Sequence, residues 1–250
     1  MNSIIKPAEF NLDNVSYSEP KSLSNGGKAV YVNLNNGPVV LQTPKMKCPF
    51  GMSKFDGDYP KYTLEMSFSG MDNNESLETF YNKMSSFDEK LISDGVVNSM
   101  PWFKKKKMKE EVVSAFYTPQ VKLSKDKETG EPNGKYPPTL KVKLPWRDGK
   151  FTCDVYDAKK ERVDADLSDV LTKGTTVQAL IQCVGLWFAG GKYGCSWKIV
   201  QLKVTKQSAI SGYAFIADSD DEADADAVDD ADQENLVEDS GSDLEEEDSD

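Results

Sequence analysis

At 250 residues the chain can hold one large domain or two small ones, and its net charge of −12 reflects 42 Asp/Glu against 30 Lys/Arg. The charge is divided: residues 218–250 carry 18 of the acids and no Lys or Arg, leaving 30 bases against 24 acids, a net of +6, in the body. The absence of histidine removes the commonest general base and metal ligand, and Cys48, Cys153, Cys183 and Cys195 form neither a C-x-x-C pair nor a zinc spacing. With no apolar leader core in MNSIIKPAEF and no membrane-length apolar run, the reading is a soluble intracellular protein with reduced thiols.

Residues 1–25 are polar and poorly periodic, and are expected to form a loose arm with a short strand at its start. From Lys28 to Thr43, two β-prone runs, Ala29–Val32 and Val39–Leu41, flank Asn35-Asn36-Gly37-Pro38, a hairpin signal. The loop PKMKCPFGMSKFDGDYP follows, and Lys45, Lys47, Phe50, Lys54 and Phe55 mix rings with cations within it. KYTLEMSFS alternates as a half-buried strand. ESLETFYNKMSSFDEKLI places Leu77, Phe80, Tyr81, Met84, Phe87, Leu91 and Ile92 at helical spacing, so an amphipathic helix should pack on a sheet, with Asp72 or Asn73 near its cap.

Lys104, Lys105, Lys106, Lys107 and Lys109 follow Trp102 and Phe103 as the densest positive charge in the chain, suited to phosphate contact, to a localisation signal or to a solvated loop. Val112–Leu123 reads as a strand interrupted at Pro119, and SKDKETGEPNGKYPP as a polar loop. TLKVKL turns Leu140, Val142 and Leu144 inward and Lys141 and Lys143 outward; Trp146 and Arg147 occupy the next turn, and Phe151–Tyr156 is the returning strand. Leu167–Gly174 fits one helical turn or a short loop.

The most informative stretch is Val177–Val204, an antiparallel hairpin turning on Gly190-Gly191. Trp187, Phe188, Tyr193 and Trp197 crowd its turn, with Lys192, Lys198 and Lys203 among them. Rings can stack on exposed bases while lysines track phosphates, the chemistry of single-strand binding, although for any one of these rings a place in the core is the better reading. Alternation puts Val200, Leu202 and Val204 on one face and Trp197 on the more polar one, so Trp197 is the leading stacking candidate.

Taken together, short strands, many turns and one prominent helix imply a mainly β fold with α+β elements, a small elaborated barrel with one packed helix. The division is 1–25 arm, 26–217 nucleic-acid-binding domain and 218–250 disordered acidic tail. There is no phosphate-cradling G-x-x-x-x-G-K-[ST], no G-x-S-x-G and no histidine triad, and the carboxylates around Asp154 and Asp164 suit solvated turns better than magnesium. No enzyme, metal or cofactor is read. Trp102, Trp146, Trp187, Tyr193 and Trp197 are candidate stacking surfaces, joined by Phe103; Lys104 to Lys107, Lys141, Lys143, Arg147, Lys192 and Lys203 are candidate phosphate contacts.

The hairpin ALIQCVGLWFAGGKYGCSWKIVQLKV, the segment YPPTLKVKLPWRDGKFTCDVYDA and the acidic tail resemble the single-stranded-DNA-binding proteins of nucleocytoplasmic large DNA viruses, which are similar in plan to phage replicative single-strand-binding proteins. The resemblance covers mainly residues 100–206 and rests on a G-x-W-F…G-K-[YF]-G…W-K pattern. It implies an elaborated OB-fold (oligonucleotide-binding) barrel that coats single strands without strong sequence preference during viral DNA replication, recombination or repair. Single-stranded DNA is the implied partner, with RNA and a homodimer left open. Replication or recombination proteins would be recruited through the tail, and no membrane is involved. The implied location is a virus factory in the host cytoplasm or the nucleus, with packaging in virions left open. Phage tails usually end in an aromatic residue whereas this one ends at Asp250, which argues against aromatic docking and leaves two roles for the tail, charge masking of the basic groove or solubility alone. The alternatives are an acidic-tailed β-sandwich chaperone of histones or other basic proteins, and a virion structural protein.

Overall fold

The computed structural model describes residues 4–23, 27–57 and 59–205; the acidic segment 218–250 lies outside the described residues. Five strands close a ring, and we number these β1 (Met46–Lys47), β2 (Lys61–Ser67), β3 (Thr139–Leu144), β4 (Thr176–Ala189) and β5 (Lys192–Thr205). Their order is β1-β2-β3-β5-β4 and back to β1. The β3–β5 contact is parallel and the other four are antiparallel. This is a five-stranded Greek-key barrel of the oligonucleotide-binding type.

The mainly β expectation therefore holds, and the alternation that signalled it is visible in the packing. Leu64 and Met66 of β2, Leu140 and Val142 of β3, Ile181 of β4 and Leu202 of β5 are all fully buried. Burying side chains of this size contributes about 1.5–3 kcal/mol each. The intervening residues of β2 and β3 lie on the opposite, polar face, where Lys61 and Lys143 are exposed and Thr63 and Ser67 are covered.

Strands β4 and β5 are far longer than the barrel needs, about 46 Å each at ~3.3 Å per residue. Their distal halves leave the ring as a ribbon, edged by Lys28–Val30 along β4 and by Tyr117–Thr118 along β5, and the helices pack on its inner face. Helix α1 (Glu75–Val97) is capped by the Asn74 side chain, which accepts from the Leu77 N–H at 3.1 Å. Asp72 and Asn73, the expected caps, sit instead in the 3₁₀ turn Met71–Asn73. The helix buries Leu77, Phe80, Met84, Phe87 and Leu91, the spacing that its sequence advertised. Phe87 meets Trp197 edge-on at 6.3 Å and Phe10 at 5.3 Å. Phe10 is fully buried, so the N-terminal stretch, expected to be a loose arm, docks on the core.

Two further helices, α2 (Ser99–Phe103) and α3 (Glu110–Phe116), flank the lysine run. The strand expected across Val112–Leu123 begins as the end of α3. Glu110 and Glu111 in its first turn complement the helix dipole, and only Tyr117–Thr118 and Val121–Lys122 are extended. A one-turn helix, α4 (Leu167–Val170), precedes β4. The expected return strand Phe151–Tyr156 is broken. Lys150–Phe151 pairs with Trp146–Arg147, and Asp154–Tyr156 adds to β5 in parallel.

Tight turns complete the plan where the sequence placed them. Asn35 and Asn36 (φ 48° and 63°) turn Val32–Leu34 into Gly37–Pro38, and Gly190 and Gly191 (φ 56° and 73°) join β4 to β5. All four cysteines are buried and unpaired, with the Cys183 and Cys195 sulfurs 3.4 Å apart across the ribbon.

Candidate nucleic-acid interface

The outward residues of β2 and β3 face one another in pairs: Thr63 with Lys143, Glu65 with Lys141 and Ser67 with Thr139. The strand Met52–Phe55 extends this surface past β2, setting Phe55 beside Lys61 and Ser53 beside Thr63. On the other side, Lys143 Nζ donates to Ser196 Oγ of β5 at 3.3 Å. Trp187 of β4 ends the row, half-buried with its indole laid over Gly194: a Cβ there would stand 2.8 Å from Trp187 Cζ2 and 2.9 Å from the Thr118 carbonyl oxygen. Glycine is thus what seats this tryptophan. Four inter-strand gaps of ~4.8 Å make the face about 19 Å wide, with Phe55, 48% exposed, at one end and Trp187 at the other.

Between the two rings the surface is positive. Lys141 Nζ lies 4.5 Å above the Phe55 ring centroid, a cation–π contact. Glu65 is the acid within the row, 3.1 Å from Lys122 and 4.0 Å from Lys141. Among the described residues neither Lys61 nor Lys143 makes a salt bridge. Loss of hydration and the neighbouring Lys61 charge lower the pKa of Lys143 below the usual lysine value. Cations lacking counter-charge favour an anionic ligand. Thr63, Lys122, Lys141, Lys143, Trp187 and Ser196 line a cleft of about 230 Å³ here. The Thr63 hydroxyl at its floor has no hydrogen-bond partner among the described residues.

A second basic and aromatic cluster lies at the ribbon tip, on the side that Phe188 faces. Phe103, Phe116 and Phe188 with Lys28, Lys105 and Lys192 line a pocket of about 660 Å³. Lys28 donates to the Trp102 carbonyl and stands 4.5 Å over the Phe188 ring. Burial first, and then the Lys104 charge, lower the pKa of Lys28. Lys105 lies 5.5 Å over Phe116, and Lys192 Nζ donates to the Ala115 carbonyl at 2.7 Å.

The residues singled out from sequence divide accordingly. Lys141, Lys143 and Trp187 meet on the barrel face, while Phe103, Lys105 and Lys192 meet at the tip pocket. Trp102, Tyr193 and Trp197 are 2%, 0% and 1% exposed, which corrects their reading as stacking surfaces. Tyr193 Oη donates to the Leu91 carbonyl at 3.3 Å, Trp197 Nε1 donates to Gln120 Oε1, and Trp102 packs edge-on to Tyr17 at 5.0 Å. The error over Trp197 has a local cause. Gln201 pairs with Leu180 and Ile199 with Ile181, leaving Val200 as an extra residue, a β-bulge that reverses the alternation on its two sides.

Trp146 keeps partial exposure but packs on Phe151 (4.6 Å) and Tyr62 (5.0 Å), with Arg147 exposed in the turn beside it. Lys203, opposite Gln178 and beside Tyr156, lines neither cluster. Lys104, Lys106 and Lys107 are exposed on the loop between α2 and α3. Lys61, Thr63, Ser196, Lys28 and Phe116 escaped sequence reasoning. Thr63 and Lys61 carried one available signal, the outward phase of the alternating strand KYTLEMSFS. No group of three or more His, Cys, Asp or Glu positioned for a metal occurs among the described residues.

The solved structures similar to this chain include two phage proteins. One is gp2.5, a single-stranded DNA-binding protein encoded by bacteriophage T7, at 11% identity and TM-score 0.44, covering 81% of this chain and all of that one. Another is the single-stranded DNA-binding protein of bacteriophage Enc34 in complex with single-stranded DNA, at 12% identity and TM-score 0.41, covering 77% and 97%. Scores of this size leave the question of function to the chain's own surface. An uncharacterized protein of Acanthamoeba polyphaga mimivirus, L291, is 27% identical over 197 residues, 74% of this chain. The chain spans 30% of that relative's length. Residues 67–217, which include β3, α1, the lysine loop and both long strands, match a family of unknown function, DUF5871, and the chain belongs to that family.

Proposed function

We propose that this protein binds single-stranded nucleic acid across the outer face of β2, β3 and the β4–β5 ribbon, with little sequence preference. The observation that carries the reading is one contiguous row: Phe55 and Trp187 at its ends, with Lys61 and Lys143 between them making no salt bridge among the described residues. On a barrel of this type the β2–β3 face and its flanking loops are the surface that takes oligonucleotides. Bases stack on the rings whatever their identity, and phosphates follow the lysines. A width of about 19 Å suits a short run of nucleotides, within the 4–16 known per barrel of this kind. The role is to coat single-stranded DNA during viral replication, recombination or repair, a binding activity and not a catalytic one.

The acidic segment 218–250 fits the same scheme as a competitor. Its 18 carboxylates carry the charge type that the lysine row attracts, so it would mask the face against weak ligands and yield to a strand. Fluorescence titration with oligo(dT) and with a duplex of equal length, at several salt concentrations, tests the reading. Tryptophan quenching by the single strand and much weaker duplex binding are the expected result. Failure to bind the single strand at low salt refutes it.

A further inference from the structure

The tip pocket is distinct from the barrel face, and its chemistry points to a particular occupant. Consecutive residues of a strand face opposite ways, so Trp187 opens onto the barrel face while Phe188 opens into the pocket. The segment from α3 makes the same passage, with Phe116 lining the pocket and Thr118 lining the barrel-face cleft. The two sites stand back to back across the ribbon tip. Only Gly190 and Gly191 form that tip, both in the left-handed region that their turn requires, and nothing lies within 4 Å of where their side chains would be. The turn itself therefore presents no side chain to a chain passing round it. From Ser196 to Lys192 the distance along β5 is about 13 Å.

The pocket is walled by three phenylalanine rings, and among the described residues none that lines it is acidic. Lys28 and Lys192 are held by backbone carbonyls and Lys105 lies over a ring, and among the described residues no carboxylate forms a salt bridge with any of the three. Flat apolar walls beside fixed cations suit a planar heterocycle that carries an adjacent phosphate. A volume of about 660 Å³ is ample for one such unit.

We propose that this pocket takes one nucleotide, its base against Phe103, Phe116 and Phe188 and its phosphate among Lys28, Lys105 and Lys192. A strand lying on the barrel face therefore turns round the ribbon tip and places a nucleotide in the pocket. That path rests on the reading above; the pocket's affinity for a nucleotide does not.

The test uses the full chain and oligo(dT) carrying a single 5-iodouracil at successive positions, with photo-adducts mapped by mass spectrometry. Positions toward one end should cross-link to Phe103, Phe116 or Phe188, and the others to Trp187 or Phe55. The double variant Lys105→Ser/Phe116→Leu should lose the first set and bind long oligonucleotides about tenfold more weakly, the loss of roughly one stacked base. Adducts confined to Trp187 and Phe55, with the variant binding as tightly as the parent, overturn the pocket and leave the barrel face standing. Deoxythymidine monophosphate alone separates a free nucleotide from one within a strand, read as protection of Lys28 and Lys105 from acetylation. If no oligonucleotide binds, the barrel-face reading fails. The pocket then stands only if the monophosphate still protects those lysines, and absence of that protection overturns it too.

Discussion

Trp187 and Trp197 lie ten residues apart on facing strands of one ribbon, yet their truncation should have opposite consequences. Trp187 is half-buried over Gly194 on the barrel face, whereas Trp197 is 1% exposed between Phe87 and Gln120. Base–aromatic stacking contributes about 1–3 kcal/mol per base, so Trp187→Ala should weaken oligo(dT) binding roughly 5- to 150-fold. The fold should survive, because the ring lies on the ribbon and not within it. Trp197→Ala leaves a cavity and an orphaned Gln120 acceptor, costing about 3–5 kcal/mol for the ring and about 1–3 kcal/mol for the lost partner. Against a typical total of about 5–15 kcal/mol, that is a large share of the stability. Urea unfolding of each variant beside anisotropy titration with labelled oligo(dT) at fixed salt separates the two effects. If Trp187→Ala bound like the parent, or if Trp197→Ala lost binding with its unfolding midpoint unchanged, the assignment of faces would be refuted.

Gly194→Ala should lift the Trp187 ring from its seat and weaken binding in the same direction as Trp187→Ala, with about 1–3 kcal/mol lost from stability for the overpacking; unchanged titrations of both kinds would show that the seat is not tight. Lys61→Ala and Lys143→Ala should each reduce the slope of log affinity against log salt by about 0.7, with little change in thermal unfolding. Because burial and Lys61 lower the Lys143 pKa, affinity should fall as pH rises through that lowered value, before ordinary lysines discharge. In the free protein the cost of holding Lys143 charged is present below that pKa and fades as pH climbs toward the lysine value of the unfolded chain, so stability itself does not fall from this source. Lys143→Arg should abolish the early alkaline loss of affinity, since guanidinium stays charged, and persistence of that loss would assign it elsewhere. Removing residues 218–250 should tighten binding at low salt and make no difference at high salt, measured in the same titration.

Local pattern made the fold legible wherever one residue's neighbours in sequence decided its place. Alternation fixed the inward and outward sides of β3, helical spacing fixed the buried stripe of α1, and paired asparagines and paired glycines marked two turns. The failures share a different cause. One extra residue at Val200 reversed the phase of a strand that looked regular, and with it the fate of Trp197. The burial of Phe10, Trp102 and Tyr193 depends on α1 and α2 folding over the ribbon, contacts between segments up to 102 residues apart. Lys28 joins the tip pocket through a carbonyl 74 residues away, which no spacing within the strand could announce. Lys143 and Trp187 were visible as chemistry but not as neighbours. Barrel closure is what brings them together.

Lysine footprinting tests the central claim most directly. The full chain is acetylated briefly with and without saturating oligo(dT) at low salt, and modification at each lysine is quantified by mass spectrometry. Lys143, whose pKa lies below the usual lysine value, reports on the middle of the barrel face. Binding across the barrel face predicts strong protection of Lys61, Lys141 and Lys143, with Lys83 on α1 and Lys159 in its remote turn modified as before. Protection of Lys83 and Lys159 with Lys61 and Lys143 left reactive would contradict it.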